Sequence, residues 1–143
     1  MGTSRNFASL VARVILGIIF IFHGWQKLST NGIDKTELYF KSLDIPWPRA
    51  AAWYSALVEF GGGILLILGV LMPLVSLLLI ADMIGAIFYA HIDNGFWSTD
   101  FGYELPLALI AGLVAVGLSD TGRTGADGYL MHRRRRTTVE RVP

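Results

Sequence analysis

The sequence predicts an all-α integral membrane protein, a bundle of four helices that each cross a bilayer. Three observations predict it: an apolar composition, four long runs nearly free of charge, and charges crowded into the segments between and after those runs. Hydrophobic residues make up 53% of the 143 residues and charged residues 16%, with a mean hydropathy of +0.52. About a quarter of residues are charged in an ordinary soluble domain. A soluble chain of this length has room for one core and would leave large apolar patches exposed. Lipid-exposed backbone must satisfy its hydrogen bonds within its own segment, so the apolar runs are read as helices despite their Ile, Val and Phe.

The first span is Phe7 to Leu28, close to the roughly 20 residues that cross a 30 Å hydrocarbon core. Arg13 interrupts it, and His23-Gly24-Trp25-Gln26-Lys27 follows where a signal peptide would have small residues, so a retained helix is expected. The opening Met1-Gly2-Thr3-Ser4-Arg5-Asn6 lacks the hydroxyl residue at position 6 that myristoylation wants. In the connection 29–49, Ile33 to Leu43 reads as a short amphipathic surface helix with Tyr39 and Phe40 at the interface. Pro46-Trp47-Pro48 then leads into the second span, Ala50 to Met72. Pro73 cannot continue a helix and is expected to mark a tight reversal in the link Met72-Pro73-Leu74. The third span is Leu74 to Ile92. Residues 93–102 carry Asp93 and Asp100 but no base, and the fourth span is Tyr103 to Ser119. The membrane domain is expected to end near residue 125, with a basic tail over 126–143.

Four spans put both ends of the chain on one side. The terminal segments carry Arg5, Arg123, Arg133, Arg134, Arg135, Arg136 and Arg141, whereas the facing loops carry Lys35 and Lys41 with Lys27 and Arg49 at their borders. Excess Lys/Arg stays in the cytoplasm, so a multi-pass protein of the cell membrane with cytoplasmic N- and C-termini is expected. Trp25, Trp47, Trp53, Trp97, Tyr54 and Tyr103 gather near the opposite ends of the spans, as an interfacial belt does.

Ionisable groups within the spans carry whatever chemistry the sequence holds, because each is costly in hydrocarbon. Counting 1.5 Å per residue from the cytoplasmic border, Arg13 lies about 9 Å deep, Asp82 about 12 Å and Glu59 about 16 Å. Helical phase puts each on a face with small residues: Arg13 with Gly17 and Gly24, Glu59 with Ser55 and Gly62, Asp82 with Gly85 and Ala86. The expected arrangement is a buried Arg13–Glu59–Asp82 group. One arginine against two carboxylates leaves one acid without a cation, which suits a proton relay or a hydrogen bond to a buried polar ligand. A purely structural ion pair that fixes helix partners uses the same three residues.

A second set lies near the outer surface: His23 and Lys27 on span one, His91 at the end of span three and Glu104 at the start of span four. Their types suit the carbonyls of a quinone head group or another polar head group, while interfacial snorkelling is the simpler account of the same residues. A metal site is not expected, since the ligands come from different helices without ligand spacing, and His91 falls about 180° from Asp82 on a regular helix. The run Arg133-Arg134-Arg135-Arg136 serves topology and contact with anionic lipids, not nucleic acid. Gly61-Gly62-Gly63 lacks the Lys-Ser/Thr of a phosphate loop. No cysteine is present, so no thiol relay or thiolate-held cluster is available to this chain.

Leu10 to Gly17 running into Gly24-Trp25-Gln26-Lys27-Leu28, then Glu59-Phe60-Gly61-Gly62-Gly63, Asp82-Met83, Tyr103-Glu104-Leu105 and Gly117-Leu118-Ser119-Asp120 together resemble the DoxX family of small four-helix membrane proteins. The resemblance covers roughly residues 7 to 125. It implies a membrane subunit of an oxidoreductase assembly, with Arg13, Lys27, Glu59, Asp82 and Glu104 as the positions of interest and a bound quinone or partner subunit supplying any redox function. Two functions are therefore expected: a quinone-interacting subunit whose buried acids handle protons, or a non-catalytic scaffold that docks larger redox or respiratory subunits.

Overall fold

The computed structural model describes residues 2–118, with side chains from 6 to 117. All regular elements among the described residues are helical. Helix α1 (Gly2–Trp25) continues through a π-helical turn at Gln26–Thr30. It is followed by the short α2 (Gly32–Ser42), α3 (Pro48–Leu68) and α4 (Met72–Ala86). A second π-helical turn, Ile87–His91, extends α4, and α5 (Glu104–Leu113) runs into a third at Val114–Leu118. Three helical stretches, Asn6–Thr30, Pro48–Leu68 and Met72–Asn94, are long and apolar enough to cross a membrane. The fourth, Glu104–Gly117, spans about 21 Å within the described residues. The basic tail, with Arg133 to Arg136, lies outside them.

Glycine sets how closely α1 and α3 pack. A Cβ built on Gly63 would lie 2.6 Å from the Gly17 carbonyl oxygen, and one built on Gly24 would collide with the Phe60 backbone. These helices therefore run antiparallel in near backbone contact, as membrane helices do where small residues meet. Helix α4 packs on α3 and on α5, with Leu79 seated over Gly62. Phe20, Leu66, Met72, Leu79 and Leu113 are fully buried between the helices, whereas Phe7, Ile15, Phe22, Leu57, Leu77 and Phe88 point outward. In lipid that outward apolar surface is the solvated one, so the helices are held by close packing and internal polar contacts.

The α3–α4 reversal differs from the expectation at Pro73. The chain turns at Gly69 (φ 69°) and Leu71 (φ 51°), both left-handed, and the Val70 N–H donates to the Leu65 carbonyl at 3.1 Å. Pro73 sits in the first turn of α4, where its missing N–H leaves no bond unmade.

At the opposite end two segments roof the bundle. Helix α2 matches the expected amphipathic helix and lies against the start of α3, where Arg49 meets Glu37 at 2.8 Å and Asp34 at 3.4 Å. The connection from α4 to α5 folds into a compact cap: Tyr103 N–H donates to the Gly95 carbonyl at 3.1 Å and Glu104 N–H to the Phe96 carbonyl at 2.9 Å. Phe96 stacks edge-on against Trp97 and Tyr103 within that cap.

Candidate functional site

Beneath this roof Lys27 and Glu59 form an ion pair, with the ammonium donating to Glu59 Oε2. The Glu59 side chain is 3% exposed and that of Lys27 18%. The pair follows from the α1–α3 register: Gly24 abuts Phe60, so the π-helical turn after Trp25 carries Lys27 to the level of Glu59. Asp82 stands behind the pair. Its carboxylate accepts from Ser55 Oγ at 3.4 Å and lies in the field of both the Glu59 and the Lys27 charges.

Two adjoining clefts share Lys27, Tyr39, Phe40, Glu59, Ala86 and His91 as a common wall. The first, about 410 Å3, lies between α1, α4, α5 and the roof, and His23, Gln26, Phe20, Met83, Phe101 and Leu109 are among its lining residues. Its size falls within the usual range for small-molecule sites, and its lining is mainly apolar with a few convergent polar groups. The second, about 260 Å3, opens between α2, α3 and α4 beside Tyr54, Ser55, Asp82, Gly85 and Tyr89.

Both histidines present the same nitrogen to bind with. His91 Nδ1 lies 2.6 Å from the Phe101 carbonyl oxygen, and His23 Nδ1 lies 2.9 Å from that of Ile19. A carbonyl only accepts, so each Nδ1 carries a proton, and in the neutral form of either ring Nε2 is the acceptor. His91 faces the clefts because of the π-helical turn at Ile87–His91. One inserted residue sets the phase back by about 100°, which brings His91 from about 180° to about 80° from Asp82. The expectation that His91 faces away assumed a regular helix.

Of the residues expected to act together, Glu59 and Asp82 do meet, but the cation beside them is Lys27 and not Arg13. Arg13 is 3% exposed and lies one turn beyond Gly17, whereas Glu59 lies one turn beyond Gly63 in the other direction. Given the Gly17–Gly63 contact, their Cα atoms are about 12 Å apart along the helices, and the side chain that Glu59 pairs with is Lys27. His23, Lys27 and His91 line the first cleft. Glu104, expected in the same set, does not line it: its Oε2 accepts the Ser98 N–H at 3.0 Å and so holds the cap to the start of α5. Sequence reasoning missed the contribution of α2, whose Lys35, Thr36, Tyr39 and Phe40 wall the first cleft. The signal was its amphipathic pattern, which shows an inward face without showing what that face covers.

The sequence profile of the DoxX family, described as DoxX, matches residues 8–92. Among curated proteins, "Putative oxidoreductase CatD" of Bacillus subtilis (strain 168) is 33% identical over 111 residues, 77% of this chain and 80% of that protein. "Inner membrane protein YphA" of Escherichia coli (strain K12) is 32% identical over 90 residues, 63% of each chain. "Uncharacterized membrane protein Rv3486" of Mycobacterium tuberculosis is 26% identical over 132 residues, covering 85% of this chain and 80% of that protein. No solved structure matches the chain.

Proposed function

The chain belongs to the DoxX family of membrane proteins, and from that premise we propose that it is the quinone-binding membrane subunit of an oxidoreductase. One observation carries the reading: the Lys27 ammonium and two histidine rings line one ring-sized, mainly apolar cleft at the roofed end of the bundle. A quinone carbonyl needs a donor, which Lys27 supplies, and a quinol hydroxyl needs an acceptor, which His23 and His91 supply through Nε2. Phe20, Met83, Phe101 and Leu109 offer the ring an apolar seat. A bound quinone would supply the electron-accepting chemistry, for which this chain has no thiol. The similarity to a protein named as an oxidoreductase supports a redox role, and the electron donor then resides on a partner subunit.

On this reading the protein sits in the cell membrane with both termini cytoplasmic, since the one-sided arginines of the terminal segments favour that side. The arginines at 133 to 136 would meet anionic lipid there.

Titration of a short-chain quinone into the detergent-purified protein tests the proposal. Saturable binding is expected, and binding of the corresponding quinol is expected to be weakened about tenfold or more by His91→Ala and by His23→Ala, which is at least about 1.4 kcal/mol each. Absence of saturable binding at near-millimolar quinone would overturn it and leave the docking of redox subunits as the role of the fold.

A further inference from the structure

We infer that the two clefts have separate tasks: the first seats the quinone head group, and the second admits a proton that Asp82 takes up when Lys27 turns from Glu59 to that head group. The inference rests on the quinone reading of the first cleft and deepens it.

Lys27 is the cation on the common wall of both clefts, and Glu59 holds it. The cluster contains one ammonium and two carboxylates, a formal charge of −1. An ammonium drawn toward a carbonyl in the first cleft compensates those carboxylates less well. Two like charges close together in a poorly solvated site are relieved most cheaply by one proton. The ammonium keeps its three protons, the new proton comes from bulk water and ends on a carboxylate oxygen of Asp82, and the cluster becomes neutral. No electron moves in this step.

The geometry also selects the route. A head group in the first cleft shuts off that side, whereas the second cleft runs from Asp82 and Ser55 to Leu43 and Ile45 on the α2–α3 connection. It is open beside Gly85, where a Cβ would meet nothing within 4 Å. The titratable or charged groups around Asp82 in this cleft are Lys27 from α1, Tyr39 from α2, Tyr54 and Glu59 from α3, and Tyr89 and His91 from its own helix. The two carboxylates are the groups that a departing ammonium leaves uncompensated, so the proton goes to one of them; His91 Nε2 is the other acceptor on this wall, and the Asp82→Asn variant separates the two.

The test is calorimetric titration of the full chain with a short-chain quinone at mildly alkaline pH, in phosphate and in Tris. Buffers with different ionisation enthalpies report protons exchanged per bound ligand whatever the affinity. Uptake of about one proton per quinone is expected in the wild type and none in Asp82→Asn. Saturable binding with equal enthalpy in both buffers overturns this inference and leaves the quinone reading standing; no saturable binding removes both. Uptake that persists in Asp82→Asn overturns Asp82 as the acceptor. A second variant, Gly85→Leu, fills the proposed route. Stopped-flow with a pH-sensitive dye is then expected to show uptake slowed about tenfold or more, and an unchanged rate overturns the second cleft as the path.

Discussion

Replacing Lys27 with methionine removes the ammonium while nearly keeping the side chain's volume, and leaves Glu59 without its cation inside the bundle. Breaking a buried ion pair by deleting one partner costs about 3–5 kcal/mol, chiefly because the survivor is left desolvated. Lys27 is 18% exposed and Glu59 3%, so water reaches one side of the pair and the loss is expected near about 3 kcal/mol. Glu59→Gln alone is milder, at about 1–2 kcal/mol, because the freed ammonium can turn into the first cleft. With both changes the pair itself carries no charge, and Asp82, which keeps the Ser55 hydroxyl as donor, is left as the one carboxylate of the cluster. The double variant is therefore expected to recover about 2 kcal/mol or more relative to the sum of the singles. Unfolding in mixed micelles, followed by circular dichroism as denaturing detergent is titrated in, measures each corner of the cycle. The control pairs Arg13→Leu with Glu59→Gln, which should add to within about 0.5 kcal/mol, because the α1–α3 register sets the two about two helical turns apart. Additivity between Lys27 and Glu59, or strong coupling between Arg13 and Glu59, would refute the assigned partnership and the α1–α3 register behind it.

The neighbouring glycines at 61 to 63 should respond in opposite directions in the same unfolding assay. Gly63→Leu is expected to lose about 1–3 kcal/mol or more, since its Cβ already overlaps the Gly17 carbonyl, whereas Gly61→Ala, with open space around it, should be neutral or gain up to about 1 kcal/mol. For topology, the chain has no native cysteine, so single cysteines report directly. Thr30→Cys and Ser98→Cys should react with an impermeant thiol reagent in intact cells and Thr137→Cys should not, while labelling of the last alone would reverse the orientation.

The spans, the amphipathic helix and the inward polar faces were legible because burial in lipid imposes a single rule on composition and phase. What was not legible depends on distances between helices. Depths counted from assumed borders set Arg13 beside Glu59, but the glycine contacts of α1 and α3 slide one helix along the other and put Lys27 there instead. His91 was misread for a local reason: a π-helical turn leaves no mark in hydropathy, yet it turns every later residue on the helix. Pro73 was a true signal of a nearby turn, displaced because proline is as well suited to opening a helix as to ending one. Glu104 kept its predicted place at the start of α5, but the loop it fastens could not be foreseen from spacing alone.

The π-helical turn at Ile87–His91 also makes the site sensitive to chain length in a way that no substitution would reveal. Deleting one residue there would restore a regular helix, keep an apolar stretch long enough to cross the bilayer and leave the buried contacts of Leu79 and Met83 in place. Everything C-terminal to the deletion, however, would turn by about 100°, withdrawing His91 from both clefts and pulling the Gly95–Glu104 cap off its seat. Related chains could therefore differ by one residue at this point, insert and fold alike, and divide into those with the ring nitrogen at the cleft wall and those without it.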